Sequence, residues 1–356
     1  MKILIDIGHP AHVHYFRNFI SIMKKKGHEF LIVARDKEVS LHLLKAYDIP
    51  FVPRGKGGKS LAGKLLYLIK ADLIVLKHAR KFKPDLFLSM GSTIAAHVSR
   101  LMGKPHIALD DTEHAKFDLL MYPPFTDAML NPYPFFKDLG KKQIRFQGFL
   151  EHCYLHPHYF TPDPGIFSKL GIDPFERYAL VRFVSWKAGH DMGKARISNA
   201  FKTQLVEELR QHCRVFISSE NTLSAELEKY KLPTLPEDLH HVLSFASLFV
   251  GEGATMASEC ALMGTPAIYI NSLTVGYVTE EERLGLLFGF RSQEGVIEKA
   301  REILTHPEIP EAIRLNHAKM LRETIDVTAF LVWFVENYPL SAKEMKDNPD
   351  FQLKFM

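Results

Sequence analysis

The chain has 356 residues, more than one ordinary core holds, and at ~100–200 residues per domain the length points to two domains. With 46% hydrophobic and 24% charged residues it is neither a disordered chain nor a low-complexity one, and three scattered cysteines exclude a disulfide framework. The net charge of +4 is unevenly divided: residues 1–150 carry 24 Lys and Arg against 13 Asp and Glu, and the remainder 21 against 28. A basic half joined to an acidic half implies an anionic partner for the former.

In chain order, residues 2–7 read as a buried strand and 13–26 as a helix. A strand follows at 29–34 and a helix at 37–47. The densest basic stretch is 54–83, where Gly55, Gly57 and Gly58 mark a loop and Ser60 caps a helix. In that helix leucines recur at helical spacing, with Lys64, Lys70, Lys77 and Arg80 between them. Such a helix either lies on an anionic membrane or packs on the core with a solvated basic face. Nucleic acid is not an expected partner, because aromatic residues are not interleaved with the cations. Strands at 86–90, 106–109 and 128–131 and a helix at 92–102 complete the first alternating series.

The segment 157–174, rich in Pro and Gly, reads as a linker. Alternation then restarts, with strands at 178–184, 215–218, 248–250 and 267–270. The helices expected between and after them are 197–212, 236–246 and 254–263, and further helices fill most of 279–337. Alternating β and α segments specify parallel sheets covered by helices on both faces. The expected fold class is therefore α/β, with two doubly wound, Rossmann-like domains facing a cleft. The expected divisions are an acceptor domain at 1–160, a nucleotide domain at 175–325, and a final helix and tail at 326–356. Ligands in such sheets bind beyond the C-terminal strand ends.

Four loops stand at those ends. In GEGATMASECALMGTPAI, Gly251 and Gly253 allow close backbone approach, and the helix begins at Ala254 with outward N–H groups suited to a phosphate. Thr255 adds a hydroxyl, and Glu259 follows at i+4. In GHPAHVHYFRNF, His9, His12 and His14 surround a helix start, where a histidine serves as base or phosphate donor. His12 and His14 point to different helix faces, so a shared metal is not expected. In LDDTEHAKF, Asp110, Asp111, Glu113 and His114 follow a strand, and adjacent carboxylates raise one another's pKa. In RFVSWKAGHDMGKAR, Arg182, Lys187, His190 and Lys194 offer cations for a diphosphate. Each loop also has a plain structural reading, as a turn, a helix cap or a solvated loop.

Gly253, Ala254, Ser258, Glu259, Gly264, Pro266 and Ala267 resemble the nucleotide-sugar motif of GT-B enzymes, most closely the MurG-type N-acetylglucosaminyltransferases and more loosely the UDP-N-acetylglucosamine 2-epimerases. HPAHVHYFRN, DDTEHA, GFLEHCYL, RFVSWKAGHD and GEGATMASECALMGTPAI further resemble the DUF354 family, over roughly residues 1–335. The resemblance implies a nucleotide diphosphate sugar, a UDP-sugar above all, as donor, with Glu259 on the ribose and the Gly253–Thr255 turn on the diphosphate. It implies no cofactor and no metal. A base drawn from His12, His14 and Asp110 would activate a saccharide or lipid-linked acceptor in cell-surface polysaccharide or glycoconjugate synthesis. The final helix is expected to cross back to the first domain.

Two features depart from the pattern. Glu252 and Glu259 fall one position short of the E-x7-E spacing of retaining GT-B enzymes, and GHPAHVH replaces the glycine-rich first loop of MurG-type enzymes. An epimerase or hydrolase, with acid and base drawn from the Asp110–His114 cluster, is the alternative, and a non-catalytic nucleotide-sugar scaffold a further one. The expected location is cytoplasmic, peripheral to the inner membrane face.

Overall fold

A computed structural model describes residues 1–58, 60–115, 117–183, 197–219, 223–273 and 275–356. The chain divides into two compact units, Met1–Tyr159 with Glu323–Met356, and Phe160–Arg322.

The first unit is built on β1 (Lys2–Ile7), β2 (Glu29–Ala34), β3 (Val52–Pro53), β4 (Leu86–Met90), β5 (His106–Leu109), β6 (Ala128–Pro132) and β7 (Gln143–Phe146). All neighbours are parallel, in the order β3-β2-β1-β4-β5-β6-β7. β1 lies between β2 and β4, with Ile5 opposite both Ile32 and Leu88. Helices cover both faces, so the inner strands are buried along their length and read as apolar runs rather than alternating ones. Chain order reverses between β1 and β4, which makes their C-terminal ends the switch point of this sheet.

β3 and β7 were not expected. β3 is two residues long and ends in a proline at the sheet edge, the position that tolerates a missing N–H. The first helix, expected from residue 13, spans Pro10–Lys25. His9 caps it, its Nδ1 accepting from the Ala11 N–H at 3.3 Å, and Pro10 supplies a helical φ at the first position.

The basic helix spans Leu61–Phe82, and Ser60 caps it by accepting from the Gly63 N–H at 3.0 Å. Its inner face buries Ala71, Val75 and Ala79 against the sheet. Its outer face is not only polar: Leu65, Leu66, Ile69 and Leu73 are 60%, 68%, 53% and 63% exposed. The segment after Glu323 belongs to this unit. Helix Val327–Glu336 buries Phe330, Leu331, Phe334 and Val335, and Thr328 Oγ1 donates to the Cys153 carbonyl at 2.8 Å.

The second unit carries β8 (Tyr178–Phe183), β9 (Arg214–Ser219), β10 (Leu248–Gly251), β11 (Ala267–Ile270) and β12 (Phe288–Phe290). They form a parallel sheet in the order β12-β11-β10-β8-β9, with its switch point between β8 and β10. β12 falls where helices were expected, because a strand of three residues leaves too short a pattern to read. The apolar face toward helices Asn199–Leu209 and Val296–Thr305 is packed by Val181, Leu205, Ile217, Val250, Ile268 and Ile303.

Candidate functional site

In the first unit the C-terminal ends of β1, β3 and β4 are organised by one buried ion pair. Asp6, the next-to-last residue of β1, receives Arg54 Nε at 2.7 Å and Arg54 Nη2 at 3.2 Å. Ser92, the N-cap of helix Thr93–Met102, donates to the same carboxylate, and Tyr67 meets the guanidinium from the basic helix. The pair sits directly beneath Gly8 and His12: a Cβ on Gly8 would lie 3.7 Å from Arg54 Nη2 and 3.5 Å from the His12 ring.

His12 is half-buried, and its Nδ1 accepts from the Gly8 N–H at 3.2 Å. The neutral ring therefore carries its hydrogen on Nε2. Burial holds its pKa well below the ordinary value, and the neighbouring His9, Lys37 and Arg54 add to that. His12 is thus a neutral hydrogen-bond donor, and accepting a proton at Nδ1 requires giving up the Gly8 contact. His14 lies on another helix face, buried with its ring against Tyr154 and Tyr47 at centroid distances of 5.3 and 5.8 Å. That environment suits packing rather than proton transfer, because helical spacing turns position 14 away from 12.

Asp110 and Asp111 follow β5 directly and are both buried, but they face different partners. Asp110 Oδ2 accepts from Tyr122 Oη at 2.7 Å and Oδ1 from the Thr112 N–H at 2.8 Å. Its carboxylate faces Gly91 at the end of β4, where a Cβ would come within 3.3 Å of Oδ2 and where φ is +49°. Only glycine meets both conditions comfortably. Burial first, and the Asp111 charge second, push the Asp110 pKa up to about 7. Asp111 is likewise raised by burial. Its Oδ2 lies 3.5 Å from Tyr15 Oη, which also reaches Glu151 Oε1 at 3.3 Å. Tyr15 stacks on His12 at a centroid distance of 6.4 Å, so His12, Tyr15, Asp111 and Glu151 form one neighbourhood. Glu113 is separate, its Oε1 accepting from the Phe136 N–H at 3.3 Å. Tyr15, Tyr122, Glu151, Asp6 and Arg54 were not singled out from the sequence. Asp6 left a local signal there, as the acidic residue that interrupts an apolar strand.

In the second unit, Arg182 near the end of β8 is in register with Gly251 and Ser218, and its Nη1 donates to Ser218 Oγ at 2.9 Å. A Cβ on Gly251 would stand 2.5 Å from Phe249 Cζ and 3.1 Å from Arg182 Cβ, so glycine lets the two strand ends close up. Gly253 is the N-cap of helix Ala254–Ala261, and among the described residues no side chain caps it. The first-turn N–H groups, at the half-buried Ala254 and Thr255, present the positive end of the helix beside Arg182's strand.

The next turn faces elsewhere. Ser258 is fully buried and its Oγ donates to Glu281 on helix Gly276–Arg283, which removes it from the strand-end face. Glu259 is also buried, and Oε1 accepts from His240 Nε2 at 3.0 Å, so the expected ribose contact meets a carboxylate already engaged. Lys187, His190 and Lys194 lie outside the described residues.

A family model described as "Protein of unknown function (DUF354)" matches residues 1–280. An uncharacterised protein of Methanocaldococcus jannaschii is 24% identical over 284 residues, covering 75% of this chain and 81% of that one. Among solved structures, spinosyn forosaminyltransferase SpnP is similar at a TM-score of 0.65 and 14% identity, covering 96% of this chain and 99% of that one. The UDP-GlcNAc 2-epimerase of Neisseria meningitidis, bound to UDP-GlcNAc, is similar at a TM-score of 0.65 and 14% identity, covering 88% and 94%. The fold is therefore that of GT-B proteins, two Rossmann-like parallel sheets.

Proposed function

The chain belongs to that family of unknown function, and from this membership and its GT-B fold we propose that it is a glycosyltransferase using a nucleotide diphosphate sugar, with a UDP-sugar as donor. The observation that carries the reading is the helix start at Gly253–Thr255, capped by no side chain among the described residues, beside Arg182 at the switch point of the second sheet. Its N–H groups and dipole suit a diphosphate, and Arg182 adds a positive charge. Ser258 and Glu259, held by Glu281 and His240, support that turn from beneath.

The first unit supplies the acceptor side. Asp110, with a pKa near 7, takes the proton of an acceptor hydroxyl, whose oxygen bonds to the anomeric carbon. The bond from that carbon to the diphosphate oxygen breaks, and the nucleoside diphosphate leaves with the electron pair. Neutral His12 donates from Nε2 to an oxygen of the bound substrate. The acceptor is a saccharide or a lipid-linked one in cell-surface polysaccharide or glycoconjugate synthesis. We place the protein in the cytoplasm against an anionic membrane, through the outer face of helix Leu61–Phe82. No described helix is long and apolar enough to cross a membrane.

The reading is tested by thermal shift of the purified chain against UDP, GDP, CDP, dTDP and ATP, with and without EDTA. UDP at a hundredfold excess over its Kd should stabilise by about 2.7 kcal/mol, equally with EDTA. A shift with none of the five removes the donor site. One observation favours a second reading: a carboxyl poised near neutrality serves proton transfer in both directions, as an epimerase needs. Incubation with UDP-N-acetylglucosamine and no acceptor separates the two, since an epimerase yields a new UDP-sugar and a transferase only slow hydrolysis.

A further inference from the structure

We propose that His156, His158 and Asp326 form a binding site for a divalent transition-metal ion of the zinc type. One ligating atom from each lies within 4.8 Å of those of the other two. His158 Nδ1 is 3.0 Å from Asp326 Oδ2, and the two imidazole rings are 4.4 Å apart between centroids. Nitrogen and oxygen ligands at ~2.0–2.2 Å from a tetrahedral ion stand roughly 3.4 Å from one another. Two imidazoles and one carboxylate are a donor set that zinc takes in sites with an open fourth position, whereas magnesium and calcium take oxygen ligands.

The surroundings already fix the carboxylate as an outer shell would. Tyr159 Oη donates to Asp326 Oδ1 at 3.0 Å and Oδ2 at 2.8 Å. The Ala329 N–H donates to Oδ1 at 2.8 Å, since Asp326 is also the N-cap of helix Val327–Glu336. The His156 ring is fixed in turn, its Nδ1 accepting from the His158 N–H at 3.3 Å. Such partners orient ligands and raise affinity. Asp326 is buried while the His158 side chain is 67% exposed, so an ion has a rigid anchor on one side and an entry path on the other.

The location gives the site a purpose. The first unit's chain ends at Tyr159 and resumes at Glu323. His156 and His158 stand just before the first crossing and Asp326 just after the second. An ion there would cross-link, within the first unit, the two segments that connect it to the rest of the chain. This site uses no residue of the nucleotide-sugar reading and stands or falls separately from it.

The test is isothermal titration of the full chain with ZnCl2 after removal of metals by EDTA and dialysis, with MgCl2 in parallel. One equivalent of zinc should bind, with a rise in melting temperature, and magnesium should not. His156→Ala and His158→Ala should each weaken zinc at least tenfold. Asp326→Asn keeps the helix-capping oxygen, so it should fold normally and still lose affinity by a comparable factor. Cobalt(II) should give the intense visible bands of a four-coordinate site in the wild type and lose them in His158→Ala. Absence of zinc binding, wild-type zinc affinity in all three variants, or preference for magnesium would each overturn the proposal.

Discussion

Asp110 holds a proton where an ordinary carboxyl does not, and the consequence is a pH dependence with a definite sign. Its folded pKa, about 7, lies above the usual 3.8, so folding favours the protonated form. The stability that this group contributes is complete below pH 3.8 and is lost as pH rises through 7. Asp110→Asn removes the titration while keeping one acceptor for the Thr112 N–H and one polar group toward Tyr122. The variant should therefore gain stability relative to the wild type as pH rises from 5 to about 7, by at most about 1.4 kcal/mol per pH unit, and the difference should level off above that. Urea denaturation at pH 5, 6.5 and 8 measures this, and parallel curves for both proteins would mean that the carboxyl is not perturbed. The sequence showed the pair of aspartates but not that Tyr122 and Gly91 enclose one and Tyr15 the other. Those partners come from distant segments, and no local spacing announces them.

At the scale of elements, strands were legible where burial on both faces made them continuous apolar runs, as in β1 and β4. Edge elements were not: β3 has two residues and β12 three, and both depend on neighbours rather than on their own pattern. The start of the first helix was displaced because a histidine replaces the usual Ser, Thr or Asp cap. Helix Leu61–Phe82 was legible as basic and amphipathic, yet its two apolar faces appear only once the sheet claims one of them. Leu65, Leu66, Ile69 and Leu73 form the outer stripe, with Lys70, Lys77 and Arg80 beside it. Leucine insertion is worth about 1.5–3 kcal/mol per side chain, and each lysine near an anionic surface about 1 kcal/mol. The double variant Leu66→Glu and Leu73→Glu should thus lower sedimentation with phosphatidylglycerol vesicles at least tenfold, with little change in melting temperature. Binding as strong as the wild type's would dismiss this face as the membrane contact.

At the scale of the whole molecule, two parallel sheets follow from the strand–helix alternation alone, because each βα unit is legible in itself. The placement of the C-terminal segment rests instead on contacts that span most of the chain. Ile325 N–H donates to the Gln147 carbonyl at 2.8 Å, and His28 Nε2 is 3.1 Å from Glu336 Oε1. Phe330 packs on Phe146 at a centroid distance of 6.0 Å. Phe330, Leu331, Phe334 and Val335 are buried in this unit, and at about 1.5–3 kcal/mol each their removal costs on the order of 6–12 kcal/mol. A domain's entire stability is about 5–15 kcal/mol, so this loss decides the outcome. A chain ending at Arg322 should leave the first unit unfolded, while the second unit, Phe160–Arg322, keeps its own sheet, core and helix start. Expressed alone, the second unit should fold and retain the UDP-dependent thermal shift. The two experiments separate folding from binding. A folded fragment without a shift would remove the nucleotide from the Gly253–Thr255 turn. A truncated chain with an intact, cooperative first unit would show that the C-terminal helix is an accessory rather than part of its core.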